Sequence, residues 1–142
     1  MRISHLGIAV KDLASAESLF KALLGDEHVH HETVEDQGVK IASLQVGESL
    51  IELTEPTNPG SAIAKFLEKR GEGIHHIALE VDDVDAELAR LKGEGFRLID
   101  EHSRDGAHGM KIAFLHPKST NGVLVELCST PARSDDSELH PA

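Results

Sequence analysis

Residues Ile3-Ser4-His5-Leu6-Gly7-Ile8-Ala9-Val10-Lys11-Asp12-Leu13 lie without a gap over Ile74-His75-His76-Ile77-Ala78-Leu79-Glu80-Val81-Asp82-Asp83-Val84, 71 positions further along the chain. Each stretch reads as a short apolar strand ending at Val, then an Asp where a helix N-cap would stand, then the start of an amphipathic helix. In the first copy Leu13, Ala16, Leu19, Phe20, Leu23 and Leu24 recur at helical spacing until Gly25. In the second, Val84, Leu88 and Leu91 do so, with a stop near Gly93 or Gly95. The ends repeat as well: Leu50-Ile51-Glu52-Leu53 lies over Leu124-Val125-Glu126-Leu127, 74 positions on. Each half has room for two further strands, including Val39 to Val46 and Met110 to His116. The pattern predicts an α+β protein of two βαβββ modules forming one curved mixed sheet.

The first module runs over about residues 1–55 and the second over about 73–130. Between them, over 56–72, the turn-rich Pro56-Thr57-Asn58-Pro59-Gly60 leads into a short helix marked by Ile63, Phe66 and Leu67 and ending at Gly71. Beyond Thr130 apolar periodicity is lost, and 131–142 is expected to be a disordered tail.

At 142 residues with 39% hydrophobic content, the chain can bury a core without staples. Its single cysteine, Cys128, has no intramolecular disulfide partner and is expected to be a small buried hydrophobe. The first residues lack a basic, then apolar, leader pattern, and no run approaches the roughly 18 apolar residues of a membrane span. The expectation is a cytoplasmic protein with no membrane contact. A net charge of −11 argues against binding nucleic acid or anionic membranes, while leaving room for a local basic pocket. With no Trp or Tyr, platforms for stacking bases are largely missing.

Alternate strand residues share a face, which puts His5 with Ile3 and Gly7, and His76 with Ile74 and Ala78. Small neighbours leave space beside each imidazole. Glu52 and Glu126 each interrupt an apolar run in which a buried carboxylate is costly unless paired, protonated or coordinating a metal. One such residue alone is adequately explained as a hydrogen-bonded core histidine or an exposed glutamate. Two polar pairs at equivalent points of a repeat are not. If the modules pack about a pseudo-twofold axis, His5, Glu52, His76 and Glu126 converge on one divalent ion per chain: Zn, Co, Ni or Mn, given imidazole and carboxylate donors without thiolates. By contrast, His28, His30 and His31, within Asp26-Glu27-His28-Val29-His30-His31-Glu32, read as a solvated strand edge.

The paired module with His on each first strand and Glu on each last strand resembles the vicinal oxygen chelate superfamily of glyoxalases, extradiol dioxygenases and epimerases. Within it, the runs Ala64-Lys65-Phe66-Leu67-Glu68-Lys69-Arg70-Gly71-Glu72-Gly73-Ile74-His75-His76-Ile77-Ala78, Gly106-Ala107-His108-Gly109 and Phe114-Leu115-His116-Pro117-Lys118 resemble the methylmalonyl-CoA epimerase family. The resemblance places that family's metal ligands on His5, Glu52, His76 and Glu126; many members carry Gln at the second position. It implies interconversion of the 2R and 2S forms of methylmalonyl-CoA by 1,1-proton transfer through a metal-stabilised enolate, with an acyl-CoA as partner and Glu126 as a base. Some epimerases place a second carboxylate on the strand corresponding to Lys40-Ile41-Ala42, which has none here, so the carrier for the other face is left open. His108 and Gly109 are expected near the substrate carboxylate, Lys118 near CoA phosphates, and a homodimer through exposed strand edges. The alternatives are a glyoxalase I-like lyase acting on a glutathione adduct and a non-catalytic binding protein of the same fold. The four filled ligand positions argue against the second, and against an extradiol dioxygenase.

Overall fold

In the computed structural model, which describes residues 1–130, the duplicated stretches become two equivalent strand–helix units. The expected tail at 131–142 lies outside the described residues. The first unit comprises β1 (Arg2–Ala9), α1 (Leu13–Leu24), β2 (His30–Val34), β3 (Val39–Val46) and β4 (Ser49–Pro56). After α2 (Ala62–Arg70), the second comprises β5 (Gly73–Glu80), α3 (Val84–Gly93), β6 (Arg104–Asp105), β7 (Lys111–Leu115) and β8 (Val125–Ser129).

The helices start and stop where their cap residues dictate. The Asp12 carboxylate accepts from the N–H groups of Ala14 and Ser15, and the Asp83 carboxylate accepts from that of Ala86. These satisfy donors that the first helical turn leaves free. Gly25 ends α1 with φ 68°, in the left-handed region that suits glycine. Helix α3 continues through Gly93, and the Glu94 N–H closes its last turn on the Arg90, Leu91 and Lys92 carbonyls.

The eight strands form one mixed sheet in the order β2-β3-β4-β1-β5-β8-β7-β6. β1 pairs antiparallel with β5 at the centre, while β1–β4 and β5–β8 are parallel. The order read outward from β1 (β4, β3, β2) matches that read outward from β5 (β8, β7, β6), so a pseudo-twofold axis passes between β1 and β5. The outer strand of the second unit has only two residues, and β7 starts at Lys111 because the Met110 N–H turns back onto the Ala107 carbonyl.

Neighbouring strand residues face opposite ways, and they sort into different cores. Ala42, Leu44 and Leu53 pack with α1, and Ala113, Leu115 and Leu127 pack with α3. On the other face, Ile41 and Val39 pack with Ile63 of α2, and Ile112 packs with Ala78 and Cys128. Each fully buried Leu or Val contributes about 1.5–3 kcal/mol. The helices α1 and α3 thereby fix the curl of the sheet, and its other face is left to form a cleft.

Candidate active site

Cross-strand register brings the two halves of the site together. Gly7 on β1 pairs with His76 on β5, and His5 pairs with Ala78. Gly7 also pairs with Glu52 on β4, while Ala78 pairs with Glu126 on β8. Each small residue therefore sits beside the glutamate of its own half and opposite the histidine of the other. All four polar side chains are buried, with residue exposures of 2–7%.

Their donor atoms converge. His5 Nε2 lies 3.3 Å from His76 Nε2, 3.4 Å from Glu52 Oε1 and 3.7 Å from Glu126 Oε2, and His76 Nε2 lies 3.4 Å from Glu126 Oε1. Ligands of a tetrahedral ion with bonds of about 2.0–2.1 Å are about 3.3 Å apart, so these four contacts have the spacing that a divalent cation needs. Gly7 makes the approach possible: a Cβ there would stand 2.1 Å from His76 Cε1.

Electrostatics points the same way. Burial lowers the pKa of His5, partly opposed by the Glu52 charge, and holds His76 well below the usual imidazole range, with His5 and His75 adding to the effect. Both are thus neutral, as ligation requires. Burial, reinforced by Glu52, pushes Glu126 up to about 8. A cation between two buried carboxylates removes that penalty. Cys128 offers Sγ close to His5 and Glu126, but burial pushes its thiol up to about 12 and the S–H donates to the Leu79 carbonyl at 3.6 Å. It stays a protonated core residue.

His108 joins this cluster from across the molecule. It sits in a 3-10 turn (Ala107–Gly109) with φ 59°, and its Nε2 lies 3.0 Å from Glu52 Oε2. Its backbone N–H donates to Glu32 Oε1 on β2 at 2.9 Å. The hydrogen bond to Glu52 raises the His108 pKa against the opposing effect of burial. A cleft of about 260 Å³ opens over these groups, lined also by Ile41, His75, Arg104, Ala107 and Phe114.

Of the residues singled out in the sequence, His5, Glu52, His76, Glu126 and His108 meet in the cleft. Gly109 ends the His108 turn with φ 66° and has no contact that a side chain would disturb. Lys118 is not brought in: it is exposed in the turn Pro117–Ser119, away from the residues lining the cleft. The cation that does line the cleft is Arg104, whose guanidinium lies 5.6 Å from the centre of the Phe114 ring and 3.3 Å from Asp100. Nothing in Ser103-Arg104-Asp105 marks it, because its place depends on β6 folding against β7.

The family model described as Glyoxalase/Bleomycin resistance protein/Dioxygenase superfamily matches residues 4–114, and the chain belongs to that superfamily. The ethylmalonyl-CoA/methylmalonyl-CoA epimerase of Cereibacter sphaeroides is 43% identical over 128 residues, covering 89% of this chain and 96% of that protein. The human mitochondrial methylmalonyl-CoA epimerase is 39% identical over 127 residues, covering 89% of this chain and 72% of that protein. A Streptomyces coelicolor methylmalonyl-CoA epimerase variant, solved in complex with 2-nitronate-propionyl-CoA, superposes with a TM-score of 0.88 at 43% identity, covering 93% of this chain and 96% of that one. Within the superfamily, the chain is a member of the methylmalonyl-CoA epimerase family of isomerases.

Proposed function

We propose that this protein is a metal-dependent epimerase that interconverts the 2R and 2S forms of methylmalonyl-CoA. The observation that carries the reading is the pair of buried carboxylates, Glu52 and Glu126, on pseudo-equivalent strands flanking the His5–His76 pair in one cleft. Inverting a carbon by proton transfer needs a carrier on each face, and a twofold arrangement of carboxylates supplies two.

His5, His76, Glu52 and Glu126 would hold one divalent ion, which when bound supplies Lewis-acid stabilisation of negative charge on the thioester oxygen. Glu126 takes the α-proton through a carboxylate oxygen: the C–H bond breaks, an O–H bond forms, and the electron pair passes into the enolate. Glu52, carrying a proton at the start of the turn, then gives it to the opposite face of the same carbon, and exchange with solvent afterwards takes the proton from Glu126 and restores the one on Glu52. β3 presents Ile41 and no carboxylate to the cleft; of the other acidic residues lining it, Asp36 and Glu52, Glu52 is the one in contact with the histidine pair, at 3.4 Å from His5 Nε2, and takes that role. The His108 contact at Glu52 Oε2 orients it. Arg104 provides positive charge at the cleft wall for the substrate's free carboxylate. The cleft volume suits a short acyl group, with the bulk of CoA outside.

The test is stereochemical. Metal-loaded protein given the pure 2S epimer should produce the 2R epimer until the two are equal, as followed by chromatography of diastereomeric derivatives. A starting epimer recovered unchanged from protein shown to hold metal would sink the reading.

A further inference from the structure

We propose a second divalent-cation site, at the outer rim of the cleft, formed by His30, Glu32 and His108. His30 and Glu32 are two apart on β2 and so share one face of this edge strand. The turn carrying His108 lies against that face, and its imidazole is tilted over that of His30 with ring centroids 5.2 Å apart. Two nitrogens converge on a single oxygen: His30 Nε2 and His108 Nδ1 each lie 3.8 Å from Glu32 Oε1. One ligand atom from each residue falls within 4.8 Å of the others. Closing the two distances to Glu32 to the roughly 3.3 Å of a tetrahedral site needs side-chain shifts of about half an ångström, with water as the remaining ligand.

An independent feature prepares His108 for the task. Its Nε2 contacts Glu52 Oε2 at 3.0 Å while its Nδ1 faces Glu32 Oε1 at 3.8 Å, so a cation on Nδ1 would select the tautomer whose Nε2–H donates to Glu52. A ligating imidazole whose other nitrogen donates to a carboxylate is the usual arrangement around a bound metal. The backbone N–H of His108 also donates to Glu32 Oε1, fixing that oxygen at the point of convergence. The exposed position of His30 leaves an open path from solvent. Two imidazoles and one carboxylate select borderline ions such as Zn(II), Ni(II) or Cu(II) over Mg(II) or Ca(II). A cation here pins the 107–109 turn, which comes from the second unit, onto β2 of the first. It thereby holds His108 over Glu52.

The probe is Zn(II) alone, buffered at micromolar free concentration, with bound metal counted by mass spectrometry after equilibrium dialysis. Wild type should hold two equivalents, and His30→Ala and Glu32→Ala one each, both changes lying on an edge strand that the core does not depend on. His76→Ala, which removes a ligand of the cleft, should retain the outer equivalent, so failure of the cleft reading shows as a different loss from failure of this one. A single equivalent in wild type that survives His30→Ala, or two equivalents unaffected by both edge-strand variants, would overturn the proposal.

Discussion

Replacing Gly7 by Ala tests the geometry of the cleft with a single methyl group. The new Cβ would stand 2.1 Å from Cε1, 2.4 Å from Nδ1 and 2.6 Å from Nε2 of His76. Non-bonded carbon contacts settle at about 3.5–4.0 Å, so the imidazole must retreat by about 1 Å or more. Metal–ligand bonds tolerate about 0.2 Å, so His76 leaves the donor set. The expected result for Gly7→Ala is a loss of metal affinity of at least about 10-fold. Proton exchange at the substrate α-carbon should fall by about 100-fold, the usual consequence of a 1 Å misplacement. Overpacking costs about 1–3 kcal/mol, which lowers the melting temperature without unfolding the protein. Metal titration, α-proton exchange and thermal melting separate these effects. Gly93→Ala, where a Cβ meets nothing within 4 Å, is the matched control and should behave as wild type. Wild-type metal affinity and exchange in Gly7→Ala would refute the placement of His76 in the site.

Three further outcomes are expected. Glu52→Gln should keep metal through its amide oxygen yet exchange the α-proton of only one epimer, without inversion, and Glu126→Gln should spare the other; equal exchange of both epimers in either variant contradicts the two-carboxylate assignment. In the metal-free protein the folded pKa of Glu126, about 8, lies above its ordinary 4.5. The folded state then binds more protons, so its stability is complete below about 4.5 and is lost as pH rises toward about 8. The melting temperature of EDTA-treated wild type should fall across that window, and Glu126→Gln should flatten the fall; parallel curves count against a buried, cation-seeking carboxylate. Cys128, buried and held as a thiol, should resist iodoacetamide in the native protein and react on unfolding.

What the sequence made legible was whatever repeats locally. The overlay of β1–α1 on β5–α3, the Asp12 and Asp83 caps and the Gly25 stop are all decided by residues within a few positions of one another, and they stand in the structure as expected. His5, Glu52, His76 and Glu126 were visible because a duplication writes each unusual residue twice. Contacts made across the two units had no such signal. His108 meets Glu32 over a separation of 76 residues and Glu52 over 56, and only the sheet order β2-β3-β4-β1-β5-β8-β7-β6 folds its turn back onto them. The cation that lines the cleft had no such signal either. Lys118 follows β7 in sequence but its turn faces solvent, whereas Arg104, in a two-residue strand without a hydrophobic pattern, reaches the cleft by pairing with Ile112. The histidines in and before β2 divide similarly. His28 and His31 remain exposed, as their polar setting implied, while His30 owes its neighbour His108 to the second unit.

The measurement that tests the central claim most directly is proton NMR of methylmalonyl-CoA in D2O with metal-loaded protein, beside EDTA-treated protein and the His76→Ala variant. The α-proton signal should disappear with the loaded wild type alone and return to disappearing when metal is restored to the EDTA-treated sample. Persistence of the signal in every sample, with metal bound in the cleft, would contradict proton transfer at this carbon and leave the four-residue site without the chemistry assigned to it.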